Sequence, residues 1–259
     1  MMKRQLQSTN NVVVKANELI QKSRFSLSVQ QQKIVLYLVS RISPYDQEFE
    51  LYDFNIRDFC RLCGIDHRNG KNYIDLKDAI QEIADKSIWI KLGNGKETLV
   101  RWIEKPYLDE GSGIVQIRLD RDMKPYLLQL KENFTKYELI WTLNFKSKYS
   151  IRLYELVKSY HYQELERFEK EIDLKELQRA LDAENYKVFQ DFKKRVLAPA
   201  IEEINTTSDK TVTWEPIKRG RSIVQIKLVI ETKGALERTK ARARIEEKYG
   251  LGQISLWGE

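Results

Sequence analysis

The sequence predicts an α+β protein with two tandem winged helix-turn-helix domains related by internal duplication. Three observations lead to this fold class. Short segments recur in the same order in both halves, each half places two amphipathic helices around a tight turn, and each half then shows the alternating pattern of a β-hairpin. At 259 residues the chain is long enough for two domains with separate cores.

The first two repeated elements are a helix and a helix start. Residues 34–39 (IVLYLV) match residues 151–156 (IRLYEL), where Ile, Leu and Tyr recur at an offset of 117. Residues 55–59 (NIRDF) match residues 173–177 (DLKEL) at an offset of 118. In both copies of the second element an N-cap residue precedes two apolar positions three apart, which is typical of the first turn of a helix.

The later repeated elements are part of a long amphipathic helix and a strand. Residues 79–83 (AIQEI) match residues 200–204 (AIEEI) at an offset of 121. Residues 114–119 (IVQIRL) match residues 223–228 (IVQIKL) at an offset of 109, and their alternating pattern is that of a half-buried strand. Four matches in the same order predict a duplicated domain.

Each copy therefore has the same predicted order: a helix, a short strand, two helices joined by a tight turn, and a hairpin. Because the offset falls from 121 to 109, the first copy has a longer connection, where patterns at residues 88–91 and 99–103 predict a further hairpin. This order is typical of a winged helix, whose second paired helix is the recognition helix. The predicted short strands and tight turns cover residues 49–54, 64–70, 168–172 and 181–186.

The predicted domain limits follow the repeat. The limits are residues 1–11 for an extension, 12–134 for the first winged-helix domain, 135–232 for the second, and 233–259 for a basic helix and tail.

The charge of the chain favours a polyanionic partner. There are 45 Lys and Arg against 38 Asp and Glu, which gives a net charge of +7. Residues 187–195 carry four basic and one acidic side chain, and residues 216–233 carry five basic and one acidic, whereas residues 162–184 carry four basic and eight acidic. The positive charge is therefore concentrated in the recognition helix and the hairpin of the second copy.

Helical periodicity separates the core face of each recognition helix from its outer face. In the second copy the apolar residues between Phe189 and Ile204 follow helical spacing, and in the first copy Tyr73, Leu76 and Ile80 do the same. The outer faces carry Arg, Lys, Asn and Gln, which pair with base edges and phosphates. The candidate DNA-binding residues are Arg68, Asn69, Lys71, Asn72, Lys77, Lys187, Gln190, Lys193, Lys194, Arg195, Lys218, Arg219 and Arg221.

A solvated surface is the alternative interpretation of each basic cluster taken alone. Basic clusters on both a helix and a hairpin, at corresponding places of a repeated motif, favour double-stranded DNA as the partner. The second domain is expected to supply most of the DNA binding, because its recognition helix and its hairpin are both rich in basic residues.

The sequence offers no set of catalytic, cofactor-binding or metal-ligating residues. Cys60 and Cys63 with His67 fall short of the four ligands of a structural zinc site, so we predict buried helix cysteines, with a metal or redox role as the alternative. Residues 93–98 (GNGKET) lack the glycine spacing of a phosphate loop and are interpreted as a wing turn. Tyrosines such as Tyr37 lie on apolar faces and are predicted to pack in the core.

The chain shows no apolar run long enough for a membrane span and no apolar core of a signal peptide near Met1. We therefore predict a cytoplasmic protein that does not contact membranes.

Three segments resemble the initiator Rep proteins of theta-replicating, iteron-containing plasmids, which have two tandem winged-helix domains. They are residues 10–20 (NNVVVKANELI), 147–156 (SKYSIRLYEL) and 192–201 (FKKRVLAPAI), and the resemblance extends over about residues 11–230. On the matching positions, the DNA contacts of that family fall on Lys193, Lys194 and Arg195, and on the basic residues of the wing.

The resemblance implies a set of partners and activities. These are binding to directly repeated origin sequences (iterons), help in opening the origin, and recruitment of host replication proteins such as the replicative helicase or its loader and the host initiator. It also implies a homodimer, formed through the first domain, that represses the protein's own gene.

Two alternatives of other classes stay open. A dedicated transcriptional repressor would bind an inverted repeat as a dimer. A chain with two unequal DNA-binding domains fits a direct repeat better than an inverted one. A nuclease would require divalent metal, and the isolated His67 and His161 offer no paired histidine ligands for it.

Overall fold

The computed structural model describes residues 12–43, 45–66, 70–93, 95–108, 112–160 and 166–249. The predicted extension at residues 1–11 lies outside them. The first part of the chain forms β1 (Val12–Ala16), α1 (Asn17–Lys22), β2 (Ser23–Arg24), α2 (Val29–Val39), β3 (Tyr52–Asn55), α3 (Ile56–Cys63), α4 (Gly70–Asp85), β4 (Ser87–Lys91), β5 (Glu97–Arg101), β6 (Tyr107–Leu108), β7 (Ile114–Ile117), a 3-10 turn (Arg121–Met123), α5 (Lys124–Leu127) and β8 (Phe134–Glu138).

The second part repeats the helix-turn-helix and the hairpin in longer form. Its elements are α6 (Ile140–Leu143), α7 (Lys148–Tyr160), β9 (Arg167–Asp173), α8 (Leu174–Ala180), α9 (Phe189–Phe192), a π-helical segment (Lys193–Leu197), α10 (Ala198–Thr207), β10 (Lys210–Arg219), β11 (Ser222–Thr232) and α11 (Ala235–Tyr249). The helix predicted within residues 233–259 is thus α11, and residues 250–259 lie outside the described residues.

The repeated strands occupy equivalent places in two sheets, as the duplication predicts. β3 pairs with β7 and β9 pairs with β11, all antiparallel. The pairing differs in register: Asn55 faces Ile114, whereas its counterpart Asp173 faces Gln225, two residues beyond the counterpart of Ile114. Because side chains alternate between faces, a shift of two residues keeps the same face of each sheet towards the core.

The longer connection of the first copy forms two hairpins. β4 and β5 pair with each other and join β2 in one sheet, while β6 pairs with β7 in another. The predicted hairpin at residues 88–103 is therefore present, but it belongs to a different sheet from the repeated strand. The predicted short strands also differ slightly, since residues 49–51 precede β3 and β9 is one residue longer at each end.

Both helix-turn-helix motifs begin with the predicted N-cap. The Asn55 side chain accepts a hydrogen bond from the backbone N–H of Asp58 at 3.1 Å. The Asp173 side chain accepts from the N–H groups of Lys175 at 2.9 Å and Glu176 at 3.2 Å. These bonds satisfy amide groups that have no partner within the helix and set the starting point of α3 and α8.

Asp173→Ala is expected to lower the free energy of unfolding by about 1 kcal/mol, because two amides at the start of α8 lose their acceptor. Urea denaturation followed by circular dichroism measures the change. Lys175→Ala is the matched control, since its exposed side chain leaves at the same turn and its backbone N–H remains. Equal stability of the two variants would show that the cap does not stabilise α8.

A buried ionic cluster joins the first strand of the chain to α7. The Lys15 ammonium donates to the Glu155 carboxylate at 2.7 Å, and Tyr137 donates to the same oxygen at 2.8 Å. The Arg152 guanidinium lies 3.5 Å from Glu155 and donates to the carbonyl oxygens of Ile20 and Ala180. Since Ile20 lies in α1 and Ala180 ends α8, this cluster links elements of both winged-helix domains.

The remaining predicted core residues are placed as expected. Tyr37 and Tyr154 are buried, and Cys60 and Cys63 are buried thiols. Burial raises the pKa of Cys63 to about 12, so this thiol is protonated at neutral pH.

His67 and His161 lie outside the described residues, and within the described ranges no three His, Cys, Asp or Glu side chains cluster as metal ligands would. Among the same residues no helix is long and apolar enough to cross a membrane.

Candidate nucleic-acid interface

The recognition helix of the second domain presents a mainly basic face, which also includes the exposed Asp191. Phe192, Val196 and Ile204 are buried as predicted, and Phe189 is half-buried. The predicted contact residues of this helix region are all exposed: Lys187, which precedes α9, Gln190, Lys193, Lys194 and Arg195. The helix therefore docks one apolar face on the core and leaves the opposite face open to a large polyanion.

A π-helical turn shapes this basic face. The N–H of Ala198 donates to the carbonyl of Lys193, five residues earlier, directly before Pro199. Proline has no N–H with which to bond the carbonyl of Arg195, so the regular helical hydrogen-bond ladder is interrupted here. A wider turn rotates successive side chains by a smaller angle, which lets the consecutive residues Lys193, Lys194 and Arg195 all face solvent.

Trp214 connects the recognition helix to the wing, and sequence reasoning did not single it out. Its ring lies 6.2 Å from that of Phe189, and the Lys193 ammonium lies 5.6 Å from the indole centroid. The two-residue alternation of Val212 and Trp214 on the inner face of β10 was the signal available in the sequence. The indole therefore holds the base of the wing against the helix and orients Lys193.

The wing of the second domain is a long hairpin with a basic tip. β10 and β11 are joined through Gly220, whose φ of 61° lies in the left-handed region. A register shift lies between Ile217 and Lys218, just before the tip. Lys218, Arg219 and Arg221 are exposed and form no ion pair with any residue that the structure describes.

The other two basic residues of the segment 216–233 are already engaged. The Lys227 ammonium pairs with Glu169 of β9 at 2.6 Å. The Lys233 ammonium donates to the carbonyl oxygens of Asn205 and Ser208. The positive charge that is available to a partner therefore lies at the tip of the wing, while the acidic segment that contains β9 neutralises its base.

If Arg221 contacts a DNA phosphate, as predicted for the wing, Arg221→Ala is expected to weaken DNA binding by about 1 kcal/mol and to reduce the slope of log K against log salt by about 0.9. Fluorescence anisotropy on a duplex, titrated at several salt concentrations, measures both quantities. Lys227→Ala removes an equal charge that is paired with Glu169 and serves as the control. An unchanged slope for Arg221→Ala would remove the wing tip from the interface.

The recognition helix of the first domain is placed as predicted but is less basic. Leu76, Ile80 and Ile83 are buried, Tyr73 is half-buried, and Lys71 and Lys77 are exposed. The Asn72 amide donates to the carbonyl of Asp66 at 2.7 Å, so this side chain also holds the turn before α4. Arg68 and Asn69 lie outside the described residues.

The β4–β5 hairpin of the first domain contacts the second domain. Arg179 of α8 forms an ion pair with Glu97 at the start of β5. Between β4 and β5, the N–H of Leu92 donates to the carbonyl of Lys96 at 2.8 Å, as expected for the predicted turn, of which Asn94 lies outside the described residues. This hairpin therefore contacts the second domain through an ion pair. The strand of the first domain that corresponds to β11 in the repeat is β7, which lies in another sheet.

Both halves of the chain match families of known proteins. Residues 12–158 match the family described as "Initiator Replication protein, WH1", and residues 173–230 match "Initiator Rep protein, WH2". A replication initiation protein of Escherichia coli is 30% identical over 218 residues, which are 81% of this chain and 66% of that protein.

A solved structure shows the same fold. The crystal structure of the Pi initiator protein in complex with iteron DNA superposes with a TM-score of 0.75 at 19% sequence identity, covering 88% of this chain and 99% of that one. The predicted fold class, two tandem winged-helix domains, is thereby confirmed.

Proposed function

Since this chain belongs to the family of initiator replication proteins with two winged-helix domains, we propose that it initiates plasmid replication by binding directly repeated origin sequences in double-stranded DNA. The observation that carries the proposal is the basic surface of the second domain, formed by Lys193, Lys194 and Arg195 with the wing tip. A helix for the major groove and a wing for the adjacent backbone are the two contacts that a winged helix makes with a duplex.

A direct repeat is the target that the two domains suit best. The two domains of one chain are unequal, because the second domain has the basic helix and wing and the first has fewer basic residues on its helix. Two unequal DNA-binding domains match two different half-sites that follow one another in one orientation. An inverted repeat instead presents two identical half-sites to two identical subunits.

The proposed role includes further partners, which rest on family membership. Binding to the repeats helps to open the origin and brings the host initiator and the replicative helicase or its loader to it. A homodimer through the first domain represses the protein's own gene. In this role the protein acts by binding DNA and other proteins rather than by catalysis.

Footprinting on the DNA that flanks the protein's own gene tests the proposal. Protection is measured at several salt concentrations with nonspecific competitor, because phosphate contacts make affinity depend strongly on salt. Evenly spaced protection of direct repeats is the expected result. Protection of an inverted repeat alone would favour a dedicated repressor, and protection without sequence preference would overturn both functions.

A parallel incubation of supercoiled plasmid with magnesium or manganese tests for strand cleavage. An intact plasmid is expected, and nicking that is lost with a chelator would show a nuclease instead.

A further inference from the structure

Helix α11 runs from the second domain back to the first. It follows β11 directly, and its buried residues Ala241 and Ile245 face the protein. It packs against α10 of the second domain and against α3 and α6. The helix that follows one DNA-binding hairpin thus reaches the helix-turn-helix of the other domain.

The far end of α11 rests on the turn of the first helix-turn-helix. Gly64 ends α3 with a φ of 65°, the left-handed conformation that glycine adopts most easily. The Tyr249 ring lies so close to Gly64 that a Cβ atom there would be 2.1 Å from the ring. Tyr249 therefore fills the space that a side chain at this turn would occupy, six residues before α4 begins.

Polar contacts fix Tyr249 in this position. Its hydroxyl donates to the Asn144 side-chain oxygen at 2.8 Å, and the Lys248 ammonium donates to the same oxygen at 3.1 Å. Seven residues before Tyr249 in the same helix, Arg242 forms an ion pair with Glu138 of β8 and another with Glu246 at 2.8 Å. The helix is thus held at two points along its length, by Glu138 at the end of β8 and by Asn144 after α6, and its ring contact at Gly64 reaches the first domain.

We propose that Tyr249 is a positioning residue for DNA binding, which holds the helix-turn-helix of the first domain at a set distance and angle from that of the second. The inference rests on the proposed function, in which each domain reads one half-site. Two linked reading heads bind a duplex more tightly than either alone only where their spacing matches the spacing of the half-sites. Loosening the contact at Gly64 therefore changes the dependence on spacing and leaves each head intact.

The test compares Tyr249→Ala with Tyr249→Phe on duplexes of three kinds. These are a full site obtained from the footprint, the half-site read by the second domain, and full sites with one to three base pairs inserted between the half-sites. Tyr249→Ala is expected to bind the full site about tenfold more weakly, to bind the half-site with unchanged affinity, and to lose less affinity than the wild type on each insertion. Tyr249→Phe keeps the ring on Gly64 and is expected to behave nearly as the wild type.

One control variant tests whether the effect is specific to Tyr249. Leu236→Ala changes an exposed residue of α11, 67% accessible, and is expected to leave all three affinities unchanged.

The outcomes separate this inference from the proposed function. If Tyr249→Ala shows the same insertion penalty as the wild type, the positioning role is wrong while the proposed function stands. If its half-site affinity falls as much as its full-site affinity, the effect is on the second domain and the inference is also wrong. If the wild type shows no preference for the full site over its half-site, the two-headed binding itself is wrong.

Discussion

Glu155→Gln is expected to lower the free energy of unfolding by about 3–5 kcal/mol, because it leaves two buried cations without their counter-ion. The side chains of Lys15 and Glu155 are each 2% exposed, and that of Arg152 is 4% exposed. The amide is nearly the same size as the carboxylate, so the change removes charge with little change in packing. Urea denaturation of the wild type and the variant measures the difference.

Glu169→Gln is the matched control for this change. Glu169 pairs with Arg167 and Lys227 at the surface of the second domain, where water and salt screen the charges. Its replacement by Gln is therefore expected to leave the free energy of unfolding nearly unchanged. Similar losses for the two variants would show that the buried cluster does not stabilise the protein more than a surface pair does.

The same cluster predicts the direction of a pH effect. Burial alone would raise the pKa of the Glu155 carboxyl, but the adjacent Lys15 and Arg152 charges hold this pKa below its ordinary value. A carboxyl with a depressed pKa in the folded state stabilises the protein above its unfolded pKa, about 4.3, and this contribution is lost as the pH falls through the folded value. The stability difference between wild type and Glu155→Gln is therefore expected to be constant near neutral pH and to shrink in acid.

The repeat explains why so much of the fold could be predicted from this sequence. N-caps, turns and alternating strands are local patterns, and each occurred twice, as at Asn55 and Asp173, so one copy supported the other. The additional hairpin of the first copy had no counterpart in the second. Its strands were predicted correctly, but nothing local indicated that β4 and β5 would join β2 in a separate sheet.

The contacts between segments that are distant in the sequence could not be predicted from local patterns. Lys15 and Glu155 are 140 residues apart, and each alone reads as an ordinary charged residue of a strand or a helix. The same holds for Tyr249 on Gly64, because a glycine after a helix is fully explained by its left-handed backbone. Only the tertiary structure shows that this glycine also admits an aromatic ring.

Charge counting and exposure indicate the same candidate interface, but charge counting alone overstated the positive charge that is available to a partner. Lys227 and Lys233 contribute to the basic count of residues 216–233, yet the first pairs with Glu169 and the second bonds to backbone carbonyl groups. Within the second domain, the exposed basic side chains narrow the candidate interface to the helix residues near Lys194 and to the wing tip.

Replacing Lys194 and Arg195 by alanine, one at a time, is expected to weaken binding to the target duplex by ~1–3 kcal/mol each if the side chain contacts a base. Both side chains are exposed, neither forms an ion pair within the described part of the chain, and the π-helical turn places them side by side. The two changes lie outside the core, so thermal unfolding should stay close to that of the wild type. Fluorescence anisotropy against the footprinted repeat, at several salt concentrations, measures the loss.

The salt dependence and the sequence dependence together assign each contact. Loss of a base contact is expected to persist at every salt concentration and to relax the preference at one base pair, whereas loss of a phosphate contact lowers the salt slope by about 0.9 at every sequence. Lys175→Ala removes an exposed cation from the start of α8, outside the proposed surface, and serves as the charge-matched control. If Lys194→Ala and Arg195→Ala both bind as this control does, the recognition helix of the second domain does not contact DNA through its basic face, and the affinity must then come from the wing or from α4.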